Sequence, residues 1–480
     1  MSYADGRPHV RWVMGNAIFI ISIACLLSSS PARGYENETR SPDGAGYRFE
    51  QDGWTYLHTE GAPYERGFQH GYLMAPEIAE IMRSMRYLTY HDTGEPFEFF
   101  IDAAVRMYPP HIDEEYLTEM NGIADGAKAR GYNVTFEEIL GWNAYKELIG
   151  YWWPSVKSDY YKKMDMETDS CSAFIATGSY TEGGEIVIAH NTWTVYERAR
   201  FFHIISDVVP ESGHRILMQT APGLLDSSTD FLVTDAGLMI TETTIRTFNQ
   251  YKGNASPAFY RLRKAAQYAD SLDSFVSIMN DNRSGGFANS WLVGDIKTGE
   301  IMRFEQGLKF FNVTKATDGY FIGANSVEDA RIRNFECSNL NPWDVRSGVG
   351  SRMVRLPQLM EEHKGRIGPE AGKVILADLY DVWLEEETPS SRTVEGHYEL
   401  DPNPTADRIP FRPMGTYDGK VTNSSMAANM SFDARWGAPS GIAFDADEFL
   451  EEHPQFGYLK GYLTSFPTRS WNRFTIGMGE

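Results

Sequence analysis

Cysteine is nearly absent from this chain, with three among 480 residues. Cys25 lies in an apolar N-terminal run, which leaves Cys171 and Cys337 in the rest of the chain. At most one disulfide can then form, so a disulfide-framework protein is excluded. Basic residues are also scarce: 44 Lys and Arg face 66 Asp and Glu, a formal net charge of −22. That deficit argues against nucleic acid and anionic membrane surfaces as partners, because both are bound through basic patches. It suits an acidic compartment, where partial protonation relieves self-repulsion. The 11 His include no HExxH pair, the Cys are too few for a structural zinc site, and no phosphate-cradling Gly-rich loop with its Lys is present. No metal or cofactor is therefore expected.

Long apolar runs are missing as well. The one near the N-terminus, Ala17 to Leu27, is about half of the ~20 residues a membrane span needs. Arg7 and Arg11 precede it and Ser28-Ser29-Ser30-Pro31-Ala32-Arg33-Gly34 follows. A basic start, a short apolar run and a small-residue zone predict a secretory signal peptide over 1–34. The expected location is the secretory pathway: secreted or in a lysosomal-type lumen, or periplasmic or extracellular for a bacterial protein. No integral membrane span is expected. Asn-x-Ser/Thr triplets at Asn37, Asn133, Asn254, Asn282, Asn312, Asn423 and Asn429 are compatible with glycosylation there.

The most informative stretch runs from Asp169-Ser170-Cys171-Ser172-Ala173-Phe174-Ile175-Ala176-Thr177 to Ile186-Val187-Ile188-Ala189-His190-Asn191-Thr192-Trp193. Two short apolar runs flank Tyr180-Thr181-Glu182-Gly183-Gly184, a composition that predicts a hairpin. Cys171 then starts one strand and His190-Asn191 ends its partner, so thiol and imidazole return to the same sheet edge. That is a candidate nucleophilic site; a buried core cysteine beside a hydrogen-bonded histidine is the plainer alternative. Ahead of Cys171, residues 155–170 are charged and poorly periodic and predict an exposed linker. A cut between Ser170 and Cys171 would give the thiol a free α-amine on its own residue. Such an amine titrates near pKa ~8 and can serve as general base.

Elsewhere, residues 35–50 are polar and Gly-rich and predict a flexible leader. Gly53 to His58 reads as a strand, and Ala75 to Leu88 and Glu115 to Ala129 as helices. His70 lies in a Gly-flanked helix start and either has a functional role or packs against the later part of the chain, the second being the expectation. Trp142, Tyr145, Tyr151, Trp152, Trp153 and Tyr160-Tyr161 form an aromatic stretch that either lines an acyl-chain pocket or packs between the two parts. After Cys171 come runs of strands, then helices over Phe259–Ala269 and Ser271–Met279, then strands again. That order predicts an α+β protein with antiparallel sheets and helices outside them.

Cys-Ser-Ala-Phe (171–174) followed by Ala-His-Asn-Thr-Trp (189–193) resembles the phospholipase B-like proteins and the related autoproteolytic cysteine acyltransferase-hydrolase family. Asp418-Gly419-Lys420-Val421-Thr422-Asn423 resembles a further element of the same family. Ser347 to Arg355 resembles the Ser-Arg-x-x-Arg segment of bile-salt hydrolases. The resemblance implies a four-layer αββα N-terminal nucleophile (Ntn) hydrolase fold with a helical N-terminal pro-part. It implies a pro-part over 51–154, a linker over 155–170 ending at a Ser170–Cys171 cleavage site, and a catalytic domain over 171–480. Cys171 would be the nucleophile and His190 would share base duty. Asn289 would stabilise the oxyanion, and Arg352 would favour the thiolate. Asn191, Thr243 and Thr244 are further oxyanion or substrate candidates. The implied function is hydrolysis of amide or ester bonds in lipid-like or N-acyl substrates through a Cys171 thioester, with the pro-part retained after cleavage. An acyltransferase of the same fold and a catalytically silent lumenal binding protein are the alternatives.

Overall fold

The computed structural model describes residues 38–157, 170–338, 340–404 and 409–479. The signal peptide, Cys25, Asn37, Tyr160-Tyr161 and most of the 155–170 linker lie outside the described residues. The protein is a mixed α+β structure. Ahead of the first helices run β1 (Thr39–Arg40), β2 (Tyr47–Gln51) and β3 (Trp54–Gly61). The central strands are β4 (Ser170–Thr177), β5 (Val187–Val195), β6 (Ile204–Pro210), β7 (Ile216–Thr220), β8 (Phe231–Thr234) and β9 (Leu238–Thr244). They continue with β10 (Asn289–Asp295), β11 (Glu300–Gln306), β12 (Phe311–Ala316) and β13 (Gly319–Gly323). The C-terminal part holds a small pair, β14 (Tyr380–Asp381) and β15 (Glu386–Glu387), then β16 (Met414–Thr416), β17 (Asp418–Asn423), β18 (Ser431–Trp436) and β19 (Asn472–Thr475).

Ten strands form one sheet in the order β1-β2-β3-β6-β7-β8-β9-β10-β11-β12, and a second sheet runs β13-β4-β5-β17-β18-β19 with β16 also on β5. The sheets face one another through an apolar layer that joins Ala173, Ile175 and Ile188 to Met239, Leu292 and Ile301. Period-2 alternation assigns the other side chains outward. Leu232, Ile240, Trp291 and Val293 pack on helices Ala258–Tyr268 and Leu272–Asn280. Phe174, Ala176, Val187 and Ala189 pack on helices Gly348–Glu362 and Pro369–Leu376.

Two expectations for the N-terminal part are corrected. Residues 39–51 are edge strands of the large sheet rather than a flexible leader. Tyr47 and Phe49 alternate inward and are buried, and Ser41 Oγ accepts from Gly46 N at 2.9 Å to close the turn. The polar, Gly-rich composition masked those two buried rings. The N-terminal part is also not purely helical. β3 pairs in parallel with β6 from Thr55↔Ile204 to Gly61↔Pro210, so its strands belong to the same sheet as the later strands.

Helices Pro63–Leu73 and Glu114–Ala129 pack at backbone contact. A Cβ at Gly71 would sit 1.9 Å from Ile123 O, and one at Gly126 2.2 Å from Phe68 O. Only glycine at these crossing points allows the approach. Between them His70 is buried, and its Nε2 accepts from Gly223 N at 2.8 Å, which joins the N-terminal part to the segment after β7. The aromatic stretch divides. Trp142 Nε1 donates to Pro222 O at 2.9 Å, Trp152 and Trp153 pack on Phe99 and Phe100, and Tyr151 joins Phe248 and Phe287. Glu147 is buried, and its Oε2 accepts from Ala258 N at 2.8 Å, at the start of the helix over Ala258–Tyr268. A carboxylate there satisfies a donor that the helix cannot.

Candidate active site

The Cys171 hairpin forms as its sequence predicts. β4 and β5 pair antiparallel with Cys171 opposite Thr192 and Ala173 opposite His190. Directly opposed residues share a face. Cys171, Thr192 and His190 therefore point toward the large sheet, together with Lys420, which lies opposite His190 across the β5–β17 pairing. Cys171 is buried, and it forms no disulfide with Cys337.

β13 pairs with β4 only as far as Gly323↔Ala173. Beyond it the chain turns, with Asn325 at φ +59°. The Asn325 side chain takes over where the ladder stops: Cys171 N donates to its Oδ1 at 2.9 Å, and its Nδ2 donates to Thr244 O at 3.0 Å. Arg352, from the first turns of its helix, donates to the same Oδ1 at 2.9 Å, to Ser172 Oγ at 3.2 Å and to Cys171 O. Its Nε donates to Gly348 O at 2.7 Å, and the guanidinium lies 4.1 Å from the Trp193 ring centroid. Burial pulls its pKa down to about 10, which still leaves it charged at neutral pH. Both backbone polar groups of Cys171 are thus held by buried side chains.

His190 is fully buried, and among the described residues neither ring nitrogen has a hydrogen bond of normal geometry. Burial first, then Lys420 and Lys146, hold its pKa well below the ordinary imidazole value, so the ring is neutral. Lys420 Nζ donates to Thr192 Oγ1 at 2.7 Å and to Asp418 Oδ1 at 2.6 Å. Burial lowers its pKa, while Asp418, Cys171 and Asp230 pull the other way. An ammonium has three protons, and these bonds use two.

Behind this layer, residues 221–230 are held by the N-terminal part. Lys146 Nζ donates to Ser228 O at 2.6 Å, and Asn143 Oδ1 accepts from Leu225 N at 2.8 Å. Burial and the neighbouring Asp230 push Asp226 up to about 7.

The other sequence candidates are placed differently. Asn289 opens β10 opposite Thr244, whose carbonyl Asn325 holds, so Asn289 lies on the strand next to that anchor. Its amide donates to Glu242 Oε2 at 3.0 Å and to Ala288 O at 2.9 Å, which commits both protons. Thr243 Oγ1 accepts from Asn325 N at 3.4 Å, and the buried Thr244 hydroxyl has no partner among the described residues. Asn191 is on the opposite face of β5 from Cys171. It accepts from Ser172 N and Trp193 Nε1 and donates to Leu376 O and Val394 O, so it has no free donor for a substrate. Ser170 is the first residue of β4.

Sequence reasoning missed Asn325, Lys420 and Lys146 as site residues. Lys420 stood in a quoted motif without a role. Asn325 carries no sequence motif that marks it. Lys146 comes from the N-terminal part, and no local pattern could place it here.

A phospholipase B family model matches residues 112–324, which includes Cys171, His190 and Asn289 and stops one residue short of Asn325. Phospholipase B of Crotalus adamanteus is 26% identical over 318 residues, 59% of this chain and 55% of its own length. Phospholipase B-like 1 of Homo sapiens is 25% identical over 275 residues, 50% of this chain and 49% of its own. An uncharacterized protein of Archaeoglobus fulgidus is 25% identical over 297 residues, 58% of this chain and 48% of its own. The chain therefore spans about half the length of the curated relatives it matches. Over this span the chain is similar to the phospholipase B-like proteins. No helix of the described residues is long and apolar enough to cross a membrane.

Proposed function

We propose that this protein is an autoprocessed cysteine hydrolase of the N-terminal nucleophile type, acting on ester or amide bonds of lipid-like or N-acyl substrates. The observation that supports it best is the grip on Cys171. Asn325 Oδ1 accepts from its nitrogen, and Arg352 bridges that oxygen to its carbonyl. Any buried backbone N–H needs an acceptor; here a side chain supplies it, and the same oxygen would hold the α-amine once the chain is cut.

In the uncut chain that nitrogen is a peptide amide and no base. Processing begins when the Cys171 thiol loses its proton and attacks the Ser170 carbonyl carbon. The C–N bond breaks, a thioester forms, and the freed nitrogen takes the proton. Water then hydrolyses the thioester, which leaves a Ser170 carboxylate, a free thiol and an α-amine. Neutral His190 lies one diagonal step away on the same face, a Cβ separation of about 7 Å that thiol and imidazole can close directly or through one water. It is the proton acceptor available before the amine exists.

In turnover the α-amine, held by Asn325, takes the thiol proton. The sulfur attacks the substrate carbonyl, the leaving group departs with that proton, and water releases the acyl group from the thioester. Lys420 makes two such bonds among the described residues, and its third proton would serve the developing oxyanion. Asn289 serves as a donor when the substrate displaces its bond to Glu242. The N-terminal part stays bound because it shares a sheet with the rest.

The test is intact mass and N-terminal sequence at mildly acidic pH, wild type beside Cys171→Ala. A new N-terminus at Cys171 in the wild type alone supports the reading, and an uncut chain in both overturns it. Adding an amine acceptor and analysing products then separates hydrolysis from acyl transfer.

A further inference from the structure

The turn between β11 and β12 and the helix over Ala330–Phe335 present aromatic rings to solvent. Phe335 is 69% exposed, Trp343 73% and Phe311 44%. Guanidinium groups lie over these rings and a neighbour: Arg333 5.1 Å from Trp343, Arg283 5.3 Å from Phe311 and Arg331 5.4 Å from Phe310. Phe310 and Phe335 are 6.0 Å apart between centroids. Lys309 is exposed at the tip of the turn. Arg331 and Arg346 are paired with Asp329 and Asp344, whereas Arg283 and Arg333 form no ion pair among the described residues. The buried Glu336 lies near Arg283 and accepts from Lys309 N at 2.6 Å.

Inward, Phe310, which Phe335 touches, packs on the buried apolar cluster of Tyr151, Ile245, Phe248, Phe287, Val327 and Ile332. That cluster reaches the Cys171 anchor: Val327 is two residues from Asn325, and Arg246 N donates to Asn325 O at 3.2 Å. A packed apolar cluster thus lies between the exposed rings and the residue that holds the candidate nucleophile.

We propose that this face docks on an anionic lipid surface. The occupant follows from charge. A protein with a formal net charge of −22 is repelled by an anionic surface as a whole. Screening over about 10 Å at 0.1 M salt nevertheless makes the local patch decisive. Here that patch is cationic and aromatic, with long basic side chains rimming rings that can enter the headgroup layer. The exclusion drawn from net charge alone therefore does not hold at this face. The use of docking for turnover rests on the lipid-hydrolase reading, while docking itself is measurable without turnover.

The experiment is co-sedimentation of full-length Cys171→Ala protein with phosphatidylcholine vesicles, with and without phosphatidylserine. Asn282 and Asn312 flank this face within glycosylation triplets, so a non-glycosylating host is used. Binding is expected on the phosphatidylserine vesicles, weakened by salt. It should fall about ten-fold in Phe335→Ser/Trp343→Ser and in Lys309→Gln/Arg331→Gln, with thermal unfolding of both variants unchanged. Absent binding, or equal binding by the variants, overturns the proposal. So does a wild-type dimer that both variants abolish, which would assign the face to self-association. Wild-type hydrolysis of a dissolved short-chain ester is read in parallel. Turnover without vesicle binding sinks docking alone. Vesicle binding without turnover upholds docking and counts against the hydrolase.

Discussion

Cys171 N donates to Asn325 Oδ1 at 2.9 Å, and Asn325 reaches that position through a left-handed backbone, φ +59°. Asn tolerates this conformation better than most residues. Asn325→Ala removes the shared acceptor of Cys171 N and Arg352 and strains the turn. We expect a stability loss of about 1–3 kcal/mol and processing slowed by at least about ten-fold, a 1.4 kcal/mol change in barrier. Chemical unfolding and an intact-mass time course measure the two. Processing at the wild-type rate would remove Asn325 from the mechanism.

Arg352 and Lys420 both interact electrostatically with Cys171. A cation beside a thiol favours the thiolate. Replacing either by Met should raise the pH midpoint of Cys171 alkylation by about 1–2 units. Iodoacetamide labelling followed against pH reads this directly, with Cys171→Ala as the blank. An unmoved midpoint in both variants would mean that neither cation governs the thiol.

His70 gives the clearest pH prediction. Burial holds its folded pKa down at about 4, against an ordinary 6.5. The unfolded chain therefore binds the extra proton first. The stability associated with neutral His70 is complete above pH 6.5 and is lost as pH falls toward 4, by about 3 kcal/mol in total. Asp226, pushed up to about 7, acts oppositely, since its protonated form is favoured in the folded state up to that pH. His70→Gln can keep an acceptor for Gly223 N and cannot titrate. Relative to wild type it should gain stability on acidification from pH 7 to 4. Parallel denaturant titrations at several pH values decide the matter, and a constant offset between the two proteins would refute the assignment.

The N-terminal part should not leave after a cut at Ser170–Cys171. β3 is paired with β6 in one sheet, and His70, Trp142, Asn143 and Glu147 bond to residues beyond Cys171. We expect both fragments to co-elute in size-exclusion chromatography and to separate only in denaturant. Gly71→Val should break this assembly at its tightest crossing, because a Cβ there meets Ile123 O at 1.9 Å. Forcing side chain into such a contact costs about 1–3 kcal/mol or more. A wild-type melting temperature in that variant would show that the crossing can relax.

What the sequence settled by itself was local. The β4–β5 hairpin follows from two apolar runs around a Gly-Gly turn, and with it the return of His190 to the Cys171 edge. The helices expected from periodicity over Ala75–Leu88 and Glu115–Ala129 form as Ala75–Thr93 and Glu114–Ala129. These features depend on neighbours a few residues apart, so composition and spacing encode them. The tertiary structure decided everything that depends on distant partners. It put Asn325, 154 positions along the chain, on the Cys171 nitrogen. It set Lys420 opposite His190 and turned Asn191 to the far face of β5, with its bonds already made. It drew residues 39–51 and β3 into the large sheet and brought Lys146 within electrostatic reach of His190. Each of these is the outcome of which strand edges meet and which polar groups must be satisfied once buried, and no window of sequence contains both sides of that choice.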